Sequence, residues 1–266
     1  MTSEPAIRVE QAGPVGVLTL ANSKAGNCLS MAIWDAMQEA LHGFEADPAV
    51  RVVLVQAEGR HFCTGADLSE VKQVLATPDA LVRFLRTGHA ALCAFEASRL
   101  PVVGAVQGLC LAGGLELMLA CDLVVAAESA RFGDQHAQFG LLPGWGGSQR
   151  LTRIVGLRRA NDLFLSARWI SAEVAERWGL VNAVVPDAQL AEEASALCRR
   201  LAERSPAGLA VMKRLARDGL DGSLAEGLLL EQRVAPAVLT GADALEGLAA
   251  FEGKREPRFL PAQTGP

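Results

Sequence analysis

A chain of 266 residues, half of them hydrophobic, with a formal net charge of -5, can bury a substantial core in one large domain and has no general electrostatic attraction for nucleic acid. Its six cysteines, at 28, 63, 93, 110, 121 and 198, make no C-x-x-C pair and no zinc-like spacing with histidine, which points to free thiols and away from a metal or disulfide framework. Met1-Thr2-Ser3-Glu4-Pro5 carries acid where a secretory leader carries base, and Gln107, Glu116 and Asp122 interrupt the apolar stretch 101–127 below the uncharged length of a membrane span, so a cytoplasmic protein without membrane attachment is expected.

Along the chain, Ile7-Arg8-Val9 and Val15 to Leu20 read as two paired strands. Ser30 is placed to cap an amphipathic helix with Ile33, Trp34, Met37, Leu41 and Phe44 on one face, ending near Asp47-Pro48. A strand at 50–55, a loop at 58–67, a helix at about 79–98 and a strand at 101–106 follow, then a glycine-rich entry to a helix that carries Glu116, then a buried strand at 123–126. Alternation of this kind predicts an α/β core layered with helices. Beyond Gly144 the pattern predicts helices only, over 149–155, 158–166, 188–203, 207–217, 224–239 and 242–251. Arg150, Arg153, Arg158 and Arg159 lie there between periodic apolar positions and read as a solvated or subunit-contact face.

Leu111-Ala112-Gly113-Gly114-Leu115-Glu116 sets a carboxylate behind two glycines in the most apolar third of the chain. A buried carboxylate is costly unless it is paired, hydrogen-bonded or used, and the first N–H groups of the helix it sits on have no partners within that helix. A second segment, Phe62-Cys63-Thr64-Gly65-Ala66-Asp67-Leu68, also presents backbone: Gly65 permits a tight turn and Asp67 caps a helix starting at Leu68. The N–H groups of Ala66 and Gly113, converging on one oxygen, make an oxyanion hole, and a thioester carbonyl held there is activated toward its enolate.

These two segments, with the block Pro101 to Asp122 and Leu142-Pro143-Gly144-Trp145-Gly146-Gly147-Ser148-Gln149-Arg150-Leu151, resemble the crotonase superfamily, the enoyl-CoA hydratases and isomerases, over about Val15 to Phe259. The resemblance implies a spiral of repeated ββα units over residues 1–200. It implies a helical C-terminal trimerisation region over 201–266, assembly as a homotrimer or dimer of trimers, and acyl-CoA substrates of fatty-acid metabolism with coenzyme A as part of the substrate and no separate cofactor. It matches Ala66 and Gly113 to the oxyanion donors and Glu116 to the first catalytic glutamate. The second glutamate is replaced: Phe132-Gly133-Asp134-Gln135-His136 puts the imidazole of His136 in its place. Gly65, Asp67, Leu68 and Gly114 fall in the implied substrate walls, Lys24 in the altered entry Ala21-Asn22-Ser23-Lys24, and Phe251 and Lys254 in the segment that reaches the CoA of a neighbouring subunit.

The implied activity is addition of water across the 2,3 double bond of an enoyl-CoA. The alternatives are double-bond isomerisation with Glu116 as sole proton shuttle, and an acyl-CoA-binding protein without turnover.

Overall fold

The computed structural model describes residues 6–260; Met1–Pro5, which carried the expectation of no leader, lie outside that range. A hairpin of β1 (Ile7–Ala12) and β2 (Val15–Leu20) opens the chain and α1 (Met31–Ala46) follows, its first turn capped by Ser30 Oγ accepting from the Ile33 amide. Then come β3 (Val52–Ala57), α2 (Leu68–Val74) and α3 (Pro78–Ala97). The apolar third divides into β4 (Val102–Val106), β5 (Leu109–Leu111), α4 (Gly113–Leu119) and β6 (Leu123–Ala127). After β7 (Arg131–Gly133) come α5 (Gly147–Val155), α6 (Leu157–Ser166), β8 (Ile170–Ser171), α7 (Ala172–Trp178) and β9 (Ala183–Val185). Four helices finish the chain: α8 (Leu190–Ala202), α9 (Pro206–Asp218), α10 (Leu224–Leu239) and α11 (Ala242–Glu252).

The α/β expectation holds, and the spiral is visible in how strands are shared between two sheets. The larger sheet runs β1-β2-β3-β4-β6-β9, parallel beyond its opening hairpin; the smaller runs β5-β7-β8. After β4 the chain steps to the small sheet for β5, returns for β6, leaves for β7 and β8, and returns for β9. Beyond Gly144 the prediction of helices alone is corrected, because the strands β8 and β9 lie there, with the unforeseen helix α7 between them; β9 adds the last strand of the large sheet beside β6.

Both faces of the large sheet are covered, which is why its central strands are continuous runs of aliphatics. Val52, Leu54, Val103, Ala105 and Val125 face Leu190, Ala194 and Cys198 of α8, while Val53, Val55, Val102 and Val124 face the core built with Trp34, Met37 and Leu41 of α1 and Phe84, Leu92 and Phe95 of α3. No single helix among the described residues is long and apolar enough to cross a membrane. α9 is fastened to the core by Lys213, whose ammonium pairs with Asp122 at 2.7 Å and donates to the carbonyls of Phe95 and Leu100.

Candidate active site

Four extended segments run side by side where the small sheet meets the ends of β3 and β4. The Leu29 amide donates to Gly65 O and the Asp67 amide to Leu29 O, both at 2.8 Å; Cys63 N donates to Leu109 O and Leu111 N to Cys63 O, both at 3.0 Å; Ala112 N donates to Gly133 O at 2.9 Å. Cys63 therefore lies opposite Cys110, and Cys110 opposite Phe132. Beyond these pairs the Cys63 segment leads to Ala66 and the Cys110 segment to Gly113, while β7 leads through Gly133 to Asp134 and His136. Segments far apart in the chain are drawn together by strand pairing up to Leu111 and Gly133.

The two amide nitrogens lie close together, as the space at the glycines shows. A Cβ added to Gly113 would lie 3.3 Å from Ala66 N, and one added to Gly65, whose φ is +123°, would lie 3.7 Å from Gly113 N. Among the described residues neither the Ala66 nor the Gly113 amide donates to an acceptor. Asp67 caps α2 as expected, its carboxylate accepting from the amides of Ser69 and Glu70, and Leu68 is exposed on the rim. A Cβ on Gly114 would meet Cys63 O at 2.4 Å, so this glycine lets α4 pack closely against the neighbouring strand. Cys63 is fully buried and its thiol is pushed up to about 12 by that burial, an inert filler as expected.

Glu116 is 1 % exposed. It does not bond back to the start of its own helix; Oε1 accepts from the amides of Trp145 and Gly147, each at 2.8 Å. No described hydrogen bond reaches Oε2. Burial raises its carboxyl above the usual 4.5, a further push comes from Asp134, and the two amides and His136 oppose them.

His136 follows a left-handed residue, Gln135 at φ 66°, whose side-chain amide donates to Ala167 O. Its Nδ1 sits 3.0 Å from Asp134 Oδ2, and its amide donates to Asp134 Oδ1 at 3.3 Å. Burial pulls the imidazole down, but the Asp134 bond and the charges of Asp134 and Glu116 outweigh it and hold the ring above its usual 6.5. With Nδ1 bound to a carboxylate, Nε2 is the nitrogen left for chemistry. The arrangement can stabilise an oxyanion at two amides, take a proton at Glu116 and give one from His136.

Two residues that reading the chain missed belong to this site. Asp134 is 2 % exposed, and its only sequence signal is a carboxylate two residues before a histidine. Arg150, expected on a solvated face, instead makes a bidentate pair with Glu96 of α3, at 2.7 and 2.6 Å, and donates to Trp145 O at 2.7 Å. It braces the turn whose amides hold Glu116. Lys24, Phe251 and Lys254 are exposed, and no described bond ties them to Glu116. No cluster of three potential metal ligands is present among the described residues.

A family model described as enoyl-CoA hydratase/isomerase matches residues 10–261. The chain is 38% identical over 251 residues to a probable enoyl-CoA hydratase of Rhizobium meliloti, covering 94% of this chain and 96% of that protein. It is 36% identical over 258 residues to a carnitinyl-CoA dehydratase of Salmonella arizonae, covering 95% and 97%. A solved enoyl-CoA hydratase structure from Bacillus anthracis superposes with a TM-score of 0.92 at 33% identity, covering 97% of this chain and 100% of that one.

Proposed function

The chain belongs to the enoyl-CoA hydratase/isomerase family, and on that footing we propose that it is a hydro-lyase adding water across the C2=C3 bond of an enoyl-CoA thioester. The thioester oxygen sits between the amides of Ala66 and Gly113. Glu116 Oε2 removes a proton from water as the water oxygen bonds to C3; the C2=C3 electron pair moves onto C2 and the thioester oxygen, and the enolate charge is held by the two amides. The imidazolium of His136 then protonates C2, and the proton taken by Glu116 returns to His136, so each turnover consumes one water and leaves both side chains in their starting forms. Coenzyme A is part of the substrate.

The observation that carries this reading is a buried carboxylate with one oxygen clamped by two amides and the other uncommitted, on the helix that begins with an acceptor-free oxyanion amide. Product mass tests it. Incubation with crotonyl-CoA is expected to give a product heavier by one water with loss of conjugated absorbance; an unchanged mass on 3-enoyl-CoA, with absorbance appearing, would make the enzyme an isomerase instead.

Self-association is part of the same reading. α10 buries no residue and α11 only Ala250, while Leu224, Leu228, Leu229, Leu239, Leu245, Leu248 and Phe251 are exposed, a concentration of large apolar side chains of the kind that marks an interaction surface.

A further inference from the structure

The indole of Trp145 lies directly against Gly113, one of the two residues whose amides the hydratase reading assigns to the thioester oxygen. It projects from the turn whose amides hold Glu116 and lies in a slot that two glycines leave open. A Cβ on Gly113 of α4 would meet its Cζ3 at 2.6 Å, and a Cβ on Gly88 of α3 would meet its Nε1 at 2.3 Å. Trp34 stands edge-on at 5.0 Å between ring centroids, Phe84 packs at 5.1 Å, and Nε1 donates to Phe84 O at 3.4 Å. Trp145 is 2 % exposed, and its contacts with Gly88, Gly113, Trp34 and Phe84 leave the ring unable to swing aside without displacing core.

Substrate geometry, taken from the hydratase reading on which this inference rests, decides what the ring does. A thioester carbon is trigonal: with its oxygen pinned between Ala66 and Gly113, sulfur and C2 leave on opposite sides. Sulfur carries the bulky coenzyme and must face solvent. C2 and C3 therefore point inward to Glu116, and carbons beyond C3 continue toward the interior, where the indole already stands. We infer that Trp145 is the end wall of the acyl chamber and confines this enzyme to short acyl groups.

Replacing the side chain keeps the Trp145 amide that holds Glu116. Trp145→Ala opens an apolar space on the order of the ~150 Å³ cavities that accept small hydrocarbons, and Trp145→Phe trims the wall while keeping an aromatic against Trp34. The wild type is expected to hydrate crotonyl-CoA with kcat/KM at least about 10-fold above that for trans-2-decenoyl-CoA. Trp145→Ala should reduce or invert that ratio by about 10-fold or more, with Trp145→Phe between them. Binding of butyryl-CoA and decanoyl-CoA by titration calorimetry reads the same preference without turnover. A protein that hydrates neither ester but prefers butyryl-CoA, with the preference lost in the variants, would overturn the hydratase reading and leave the wall in place. Equal use and binding of both lengths by the wild type, or a ratio unmoved in both variants, would overturn the wall, because the chain would then leave past the exposed Phe139, Leu141 and Leu142.

Discussion

Glu116 and His136 carry linkage of the same sign, stability falling as pH rises, through different causes. The imidazole sits above its usual 6.5 because Asp134 and Glu116 outweigh the effect of burial, so its contribution to stability is complete at pH below that value and fades as pH rises through the folded-state pKa. Burial raises the Glu116 carboxyl; the cost of ionising it is absent at low pH and grows as pH climbs from 4.5 toward its folded value. Catalysis through Glu116 as carboxylate and His136 as imidazolium gives a bell-shaped pH profile. Asp134→Asn removes the charge that favours the imidazolium and leaves at most a neutral acceptor at Nδ1, so the alkaline limb of kcat/KM on crotonyl-CoA should move to lower pH, and an unmoved limb would remove Asp134 from positioning His136. At this scale the sequence carried much of the site. Gly113 and Gly114 were legible as special residues, but for a reason only packing reveals: both are helical and stand where Trp145 and Cys63 leave no room for a Cβ. The positive φ falls instead on Gly65 and on Ala112, at +48°, a position that is costly for alanine and has no signature in composition.

Among the elements, long helices were legible and short strands were not. α1, α3 and α10 run for 16, 20 and 16 residues, enough turns for an apolar stripe to repeat, and α10 matches its expected bounds. β5, β7, β8 and β9 have three residues or fewer, too short for alternation to register; yet β5 leads directly into the Gly113 helix and β7 into Asp134 and His136. α5 was legible as a helix, while the direction of Arg150 was not, since an arginine between apolar positions reads as solvated until α3 supplies Glu96. This brace has a measurable value. Arg150→Met leaves Glu96 unpaired and Trp145 O without its donor, and should cost about 2 kcal/mol in urea unfolding while lowering kcat through a looser hold on Glu116. A loss of stability with kcat intact would confine Arg150 to scaffolding.

For the whole molecule, the two sheets and the helices on both faces account for the buried core, and the C-terminal helices account for what remains exposed. The α/β class was legible from alternation; the sharing of strands between two sheets was not, because it depends on crossovers between segments whose pairing no local pattern encodes. If α10 and α11 pack against other copies, Leu245→Glu with Leu248→Glu should convert an assembly to single chains by light scattering; an unchanged mass would place the interface elsewhere. The measurement that bears most directly on the site is the turnover of Glu116→Gln on crotonyl-CoA. Glutamine can still accept from the Trp145 and Gly147 amides but cannot take a proton from water, so kcat should fall by about 10²–10⁴-fold with the fold intact. A variant that hydrates at the wild-type rate would contradict the role of Glu116 and, with it, the catalytic account of this pocket.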